Sequence, residues 1–250
     1  MIDYKTDEEI KIMAEGGKRL RLVVSELLKK IKPGITTYQI DKEAERLIKE
    51  KGGESSFKKV KNYYWTTCLP INEQVVHTPP SDRILKNGDV LTLDIGMYFK
   101  GYHTDYATTF VVGKTKDKKI LNFLEIGKKT LKKAIEKVRV GGRLGEVSEV
   151  IEDEITKAGY FILKDLTGHG IGKELHMEPY VFNYRERPTE KTLIIKKGLT
   201  IAIEVIYSMG TEEIAYEKGN EWSIISRDKS LTACFEHTIA VTEKQVLVLT

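Results

Sequence analysis

Four acidic residues of this sequence stand inside runs of apolar, strand-forming residues. Two lie in the runs 91–96 and 102–106, and two more in 200–206 and 234–239. A carboxylate in a buried strand is costly unless it is paired or binds a cation. Because four acids share this setting, we interpret them together as ligands of a divalent metal. They are Asp94, Asp105, Glu204 and Glu236.

The segment between the first two acids predicts a tight hairpin. A turn over residues 98–101 would pair the flanking strands symmetrically and bring Asp94 directly opposite Asp105. The Cβ atoms of directly opposed residues lie about 4.5–5.5 Å apart, and like charges at that distance repel each other. A divalent cation bound between the two aspartates would remove this repulsion.

A histidine flanked by glycines follows at His169, in the segment 167–172, and is itself followed by His176. Glycine permits unusual backbone angles and close approach. One imidazole and four carboxylates form a mostly oxygen ligand set, which suits two ions of Mn, Fe, Co or Zn. Paired ions of this kind activate water and stabilise an oxyanion. Taken singly, a strand aspartate or a histidine is more often structural. A glycine-rich loop more often binds phosphate, but no Gly-Lys-Ser/Thr follows here.

Hydrophobic periodicity predicts the elements that must position these residues. A helical spacing over 7–31 ends at a Pro-Gly pair, and a second helix runs from Thr36 or Thr37 to a Gly-Gly pair. Further helices are predicted at 117–138 and 144–158, and strands at 90–95, 102–112, 160–163, 199–207, 221–226, 232–241 and 246–249. Two helices followed by strands occur twice in this order. The pattern indicates one module used twice within a single α+β domain spanning residues 1–250.

Composition excludes several classes of protein. The 41 basic and 37 acidic residues leave a net charge of +4, too small an excess to indicate a nucleic-acid partner. Two distant cysteines, Cys68 and Cys234, favour a reducing compartment. The first residues do not resemble a secretory signal, and no apolar run approaches the roughly 18–20 residues that span a bilayer. We therefore expect a cytoplasmic protein without a membrane partner.

The five predicted ligands match, in type, order and approximate spacing, the metal ligands of the methionine aminopeptidases. The segments GYHTDYATTF, GHGIGKELHMEP and FEHTIAVT resemble that family's motifs around its second aspartate, its histidine and its last glutamate. INEQVVHTPP resembles the segment that carries the first active-site histidine, here His77. The resemblance covers nearly the whole chain. It implies the pita-bread fold, with pseudo-two-fold internal symmetry, and the type I enzyme.

The resemblance also implies how two metal ions are held. Asp94 would bind one ion and His169 the other, and Glu204 would complete the second site. Asp105 and Glu236 would bridge both ions. The ions would be Co, Mn, Fe(II) or Zn, and a water activated by them would attack the first peptide bond of the substrate.

Three further roles are implied by the same resemblance. Glu204 would also accept and pass on a proton, and His176 would stabilise the tetrahedral intermediate. His77 would contact the substrate near the scissile amide and assist the leaving amine, so His77, His176 and Glu204 would be the catalytic residues. The methionine side chain would enter a pocket formed by four residues, whose alternative interpretation is ordinary core packing. They are Tyr63, Cys68, Leu175 and Trp222. We do not interpret His103 or His237 as catalytic.

The implied activity is removal of the N-terminal methionine from nascent proteins whose second residue is small. We expect a monomer that acts on the N-termini of nascent polypeptides, with at most transient ribosome contact. Three departures from the family pattern affect the shape of the substrate site: Val205 after the glutamate, Met177 after His176, and Thr78-Pro79 after His77.

Three alternatives stay open at this point. The first is an Xaa-Pro peptidase of the same fold, although such enzymes usually carry an additional N-terminal domain. The second is a non-catalytic binding protein that keeps the fold, which would be expected to lose ligands. The third is a cysteine hydrolase, for which the sequence offers no motif.

Overall fold

Two capping boxes define the first pair of helices. The computed structural model describes residues 2–250. At the start of the first helix, the Thr6 hydroxyl accepts a hydrogen bond from the Glu9 amide, and the Glu9 carboxylate accepts one from the Thr6 amide. At the start of the second helix, the Thr36 hydroxyl and the Gln39 side-chain oxygen accept the corresponding bonds from the Gln39 and Thr36 amides. The helices are α1 (Asp7–Lys30), α2 (Thr37–Glu50), α3 (Lys118–Lys137) and α4 (Gly145–Lys157). All four predicted helices are confirmed, each within about a residue at either end.

Within residues 2–250, ten strands form one sheet and three more form a smaller one. The strands are β1 (Glu54–Ser55), β2 (Thr67–Cys68), β3 (Gln74–Val76), β4 (Val90–Phe99), β5 (Tyr102–Val111), β6 (Phe161–Ile162), β7 (Thr167–Gly170), β8 (Met177–Phe182), β9 (Thr200–Ser208), β10 (Ile214–Tyr216), β11 (Ile224–Ser226), β12 (Thr232–Val241) and β13 (Val246–Val248). The large sheet has the order β1-β4-β5-β12-β9-β7-β8, with β2, β6 and β13 paired at its sides. The small sheet has the order β10-β11-β3. The α+β class is confirmed.

Alternate residues of the central strands face opposite ways, because side chains alternate along a strand. On β4, Leu93, Ile95 and Met97 pack into a core shared with α1 and α2. On β9 the corresponding residues, such as Ile203 and Val205, pack into a core shared with α3 and α4. Each half of the sheet is thus covered by its own helix pair, as the module order predicted. The intervening residues are free to build a site on the other face.

The hairpin register prediction was wrong by two residues. Lys100 and Gly101 have φ values of 49° and 92°. A two-residue type I′ turn requires positive φ at both of its central positions, so these two residues form such a turn. Phe99 therefore pairs with Tyr102, and the offset runs the length of the hairpin. As a result Asp105 opposes Gly96, and Asp94 opposes Ala107. A shift of two keeps each side chain on its predicted face, so both aspartates still point the same way.

Among residues 2–250, no helix is both long enough and apolar enough to cross a bilayer.

Candidate metal centre

A row of paired residues crosses the middle of the large sheet. Asp94 on β4 opposes Ala107 on β5, Ala107 opposes Glu236 on β12, and Glu236 opposes Glu204 on β9. Directly opposed residues have Cβ atoms about 4.5–5.5 Å apart. Asp105 lies two residues before Ala107, hence on the same face. Four carboxylates from four neighbouring strands thus converge. The directly opposed acidic pair is Glu204–Glu236, and not the two aspartates as predicted.

His169 comes from the adjacent strand β7, where it pairs with Ala202 of β9. Its Nε2 lies 3.5 Å from Glu204 Oε1. Its Nδ1 lies 2.9 Å from the carbonyl oxygen of Gly170. Because a carbonyl can only accept, the ring proton sits on Nδ1, and Nε2 keeps a lone pair available for a metal. Ligand atoms of Asp105, His169 and Glu236 all lie within 4.8 Å of one another.

Burial makes this cluster unstable as a set of bare charges. Desolvation, followed by mutual repulsion, raises the pKa of Asp94, Glu204 and Glu236 well above the usual range for carboxyls. Desolvation raises the pKa of Asp105 to about 7. Among the described residues, no lysine or arginine lines the surrounding cavity. Glu236 Oε1 is buried without a hydrogen-bond partner. Such a set of donors fits divalent cations, which supply the positive charge that the protein does not.

The cluster opens into a cavity of about 610 Å³. This volume is within the range of about 300–1,000 Å³ found for ligand pockets. All eleven residues predicted for the site line it: the five proposed ligands, the two histidines and the four proposed pocket residues. The structure brings these residues together, while their individual roles stay predictions.

Two histidines stand at the mouth of the metal cluster. The His176 ring lies edge-on to the His169 ring, with centroids 4.5 Å apart. His77 has a φ of 57°, a left-handed conformation that is uncommon for a side-chain-bearing residue and is frequent at functional sites. Desolvation lowers the pKa of both histidines. The pKa of His77 falls to about 4, and repulsion from His176 contributes to that shift. Both imidazoles are therefore neutral near pH 7.

An apolar wall adjoins the metal cluster. The Tyr63 and Trp222 rings meet edge to face with centroids 5.1 Å apart. Tyr63 Oη donates a hydrogen bond to the Thr67 carbonyl at 2.8 Å and lies 3.1 Å from Cys68 Sγ. Burial raises the pKa of both Tyr63 and Cys68, so both stay neutral. Leu175 is 6% exposed and completes the wall.

Sequence reasoning missed other residues that line the cavity. Ile206 lies two residues after Glu204, so strand periodicity could have identified it. No local signal identified the others, because they reach the cavity through tertiary packing. They are Phe57, Val60, Val76, Asp165, Leu166, Thr167, Glu178 and Tyr180. Met177, which the sequence analysis named as affecting the shape of the substrate site, also lines the cavity. His103 and His237 do not line the cavity: His103 Nδ1 lies 2.9 Å from Ser56 Oγ, and the His237 ring packs against Tyr106.

Residues 11–243 match the metallopeptidase family M24. The chain belongs to metallopeptidase family M24. Its M24 relatives include the methionine aminopeptidase 1 of Bacillus subtilis (strain 168), 37% identical over 252 residues, which cover 100% of this chain and 99% of the relative. The crystal structure of a methionine aminopeptidase from Thermotoga maritima superposes with a TM-score of 0.95 at 33% identity, covering 100% of this chain and 99% of that one.

A prolidase from Pyrococcus furiosus shares the fold with a TM-score of 0.80, at 24% identity. It matches 99% of this chain but only 65% of its own length. The pita-bread fold predicted from the resemblance is therefore confirmed, and the protein is a metallopeptidase that binds divalent metal.

Proposed function

We propose that this protein is a methionine aminopeptidase, which removes the N-terminal methionine from new polypeptides whose second residue is small. Residues 1–250 would act as one catalytic domain. The observation that carries the proposal is a single cavity in which a five-residue metal-ligand set adjoins an apolar wall. The relatives that match over their full length support it, since they carry the same name.

The proposed metal site uses all five converging donors. Asp94 would hold one ion, and His169 and Glu204 would hold the other. Asp105 and Glu236 would each contact both ions. Two bound divalent ions, of Co, Mn, Fe(II) or Zn, would supply an activated water and polarise the scissile carbonyl. The strands that carry the donors are held by the two helix-covered cores, so the donors are positioned before a ligand arrives.

The remaining chemistry falls to side chains of the chain itself. Glu204 would accept a proton at its carboxylate and deliver it to the leaving nitrogen, acting first as general base and then as general acid. His77 and His176, both neutral, would donate imidazole N–H hydrogen bonds to the substrate. His176 would face the developing oxyanion and His77 the scissile amide, where such donors stabilise the transition state more than the ground state.

Substrate choice would follow from the apolar wall. Tyr63, Cys68, Leu175 and Trp222 offer no charge, so they suit the unbranched thioether side chain of methionine. An apolar pocket discriminates a missing methylene by only about 1–3 kcal/mol. Leucine or norleucine peptides should therefore be poor substrates, though still cleaved.

The alternatives are less well supported. An Xaa-Pro peptidase would share the fold, but the prolidase neighbour is only 24% identical to this chain. A binding protein without activity would be expected to lose ligands, and all five donors and both histidines are present. We further propose a cytoplasmic monomer that acts on nascent chain N-termini, with transient ribosome contact and no membrane or specific nucleic-acid partner.

The test is peptide cleavage with products identified by mass. Met-Ala-Ser should be cut, and its N-acetylated form and Met-Lys-Ser should not. Chelation should abolish cleavage, and Co, Mn or Fe(II) should restore it. The kcat of Asp105→Ala should fall by more than the roughly 10²–10³-fold that is typical of deleting one oxyanion donor. Asp153 is an exposed acid, so Asp153→Ala should cleave the peptide as wild type does. Equal cleavage of all three peptides would indicate a general peptidase and refute the proposal.

A further inference from the structure

A buried carboxylate on α2, outside the metal cluster, contacts the segment that forms the pocket wall. Asp41 is 3% exposed. Its Oδ1 accepts hydrogen bonds from the Thr66 amide at 2.8 Å, the Thr67 amide at 2.9 Å and the Thr67 hydroxyl at 2.9 Å. One oxygen thus satisfies three donors of a segment whose residues Thr66 and Thr67 are fully buried. Donors left unsatisfied there would be costly.

The anchored segment leads directly to the substrate side of the cavity. The Thr67 carbonyl accepts the hydrogen bond of Tyr63 Oη, and Tyr63 in turn lies against Cys68 Sγ. Both side chains line the cavity. Asp41 itself does not line it, so any influence on the substrate must pass through Thr66 and Thr67.

The same segment connects to two other parts of the site. Thr67 and Cys68 form β2, which pairs Cys68 with Asp94. The Leu69 amide then donates to the Thr78 carbonyl at 2.9 Å, one residue beyond His77. A displacement of this short strand would therefore shift the pocket wall and the turn that carries His77.

We propose that Asp41 is a positioning residue that sets the width of the methionine pocket by fixing Thr66 and Thr67. The inference rests on the proposed function for its substrate, but its geometry does not depend on that function. Because all three hydrogen bonds end at Oδ1, the acceptor oxygen matters more than the negative charge. An asparagine at this position keeps one side-chain oxygen in place, and a leucine removes it at similar size.

The experiment compares three variants. Asp41→Asn keeps all three hydrogen bonds, Thr67→Val keeps the two from the backbone amides, and Asp41→Leu keeps none. Leu47→Ala is the matched control, because Leu47 is a fully buried residue of the same helix that packs in the α1–α2 core and takes no part in the three hydrogen bonds. Three quantities are measured with metal added: KM and kcat for Met-Ala-Ser, bound metal per chain, and hydrogen exchange of the Thr66 and Thr67 amides.

We expect KM to rise about tenfold or more in Asp41→Leu, since buried donors lose their acceptor. It should rise less in Thr67→Val and stay near wild type in Asp41→Asn. kcat should fall by a smaller factor than KM rises, because the turn that carries His77 is reached only through Leu69 and Thr78. Metal content should change little, and amide exchange at Thr66 and Thr67 should accelerate in the order of KM. Leu47→Ala should lower thermal stability and leave KM unchanged.

Three results would overturn the inference. One is wild-type KM and exchange in Asp41→Leu. Another is an equal rise in KM in Leu47→Ala, which would indicate general loss of stability. The third is a joint fall in metal content and kcat, which would place the effect at Asp94. If the wild-type protein fails to release methionine, the proposed function fails instead, and amide exchange alone still tests whether Asp41 holds the segment.

Discussion

At the scale of single residues, the metal cluster depends on one small side chain among large carboxylates. Ala107 stands between Asp94 and Glu236 in the row across the sheet and is 2% exposed. The Cβ atoms of directly opposed residues lie about 4.5–5.5 Å apart, so a larger residue at this position would crowd the acidic residues on either side. The site is thus defined by the residue that is small as well as by those that are charged.

His77→Ala tests whether substrate contact can be separated from metal binding. The imidazole is not among the five donors, so the variant should keep its metal and its fold. Its turnover should fall by about 10²–10⁴-fold, as expected when acid–base or hydrogen-bond assistance is lost. Bound metal is measured by elemental analysis and turnover with Met-Ala-Ser. Loss of metal from the variant would contradict the role given to His77.

At the scale of elements, the contact between α3 and the sheet depends on a missing side chain. A Cβ at Gly127 would lie 2.5 Å from Phe235 Cδ2 and 2.5 Å from Tyr207 Oη. The Gly127 amide lies 3.1 Å from the same tyrosine oxygen. Glycine costs about 1 kcal/mol in a helix interior relative to alanine, so its presence reflects this close approach.

Gly127→Ala should therefore destabilise the protein although it improves helix propensity. We expect a net loss of about 1–3 kcal/mol in the free energy of unfolding, the usual cost of overpacking. Lys132→Ala, an exposed change on the same helix, should stay within about 0.5 kcal/mol of wild type. Urea denaturation measures both. A Gly127→Ala variant as stable as wild type would mean that the helix can move away from the strands at no cost.

The same scale explains what the sequence could predict. Strong periodicity identified all four helices and the long strands β4, β5, β9 and β12. Strand β7 has two glycines among four residues and β8 contains Pro179, so neither carried a strand signal. The hairpin register depended on the φ values of Lys100 and Gly101, which local composition left open. Residues of the pocket wall, far apart in sequence, were identifiable only by resemblance.

At the scale of the whole molecule, stability and metal binding are linked through pH. In the metal-free protein, burial raises the pKa of Asp105 from 3.8 to about 7, and it also raises the pKa of Asp94, Glu204 and Glu236 well above the usual carboxyl range. Through these carboxyls the folded state holds protons that the unfolded chain has released. Their contribution to the free energy of unfolding falls as pH rises through that window, and bound metal cancels this loss.

We therefore expect the Tm difference between metal-loaded and chelator-treated protein to widen between about pH 4 and pH 7, the window over which Asp105 titrates. Thermal unfolding at several pH values, with and without chelator, measures it. The Asp105→Ala variant is the control, since it removes one of the titrating carboxyls and should therefore reduce the widening of the Tm difference with pH. A Tm difference that is constant or narrows with pH would show that the carboxyls are not what the metal stabilises.

The alternation of side chains along the central strands has a consequence for how such a protein can change over time. On β9, Ile203 and Val205 face the helices, and Glu204 between them faces the cavity. Substitutions at the helix-facing positions act on folding yield, and those at the cavity-facing positions act on turnover. The two kinds of selection therefore fall on alternate codons of one short segment. The core can diversify in volume and shape while the chemistry one residue away stays fixed.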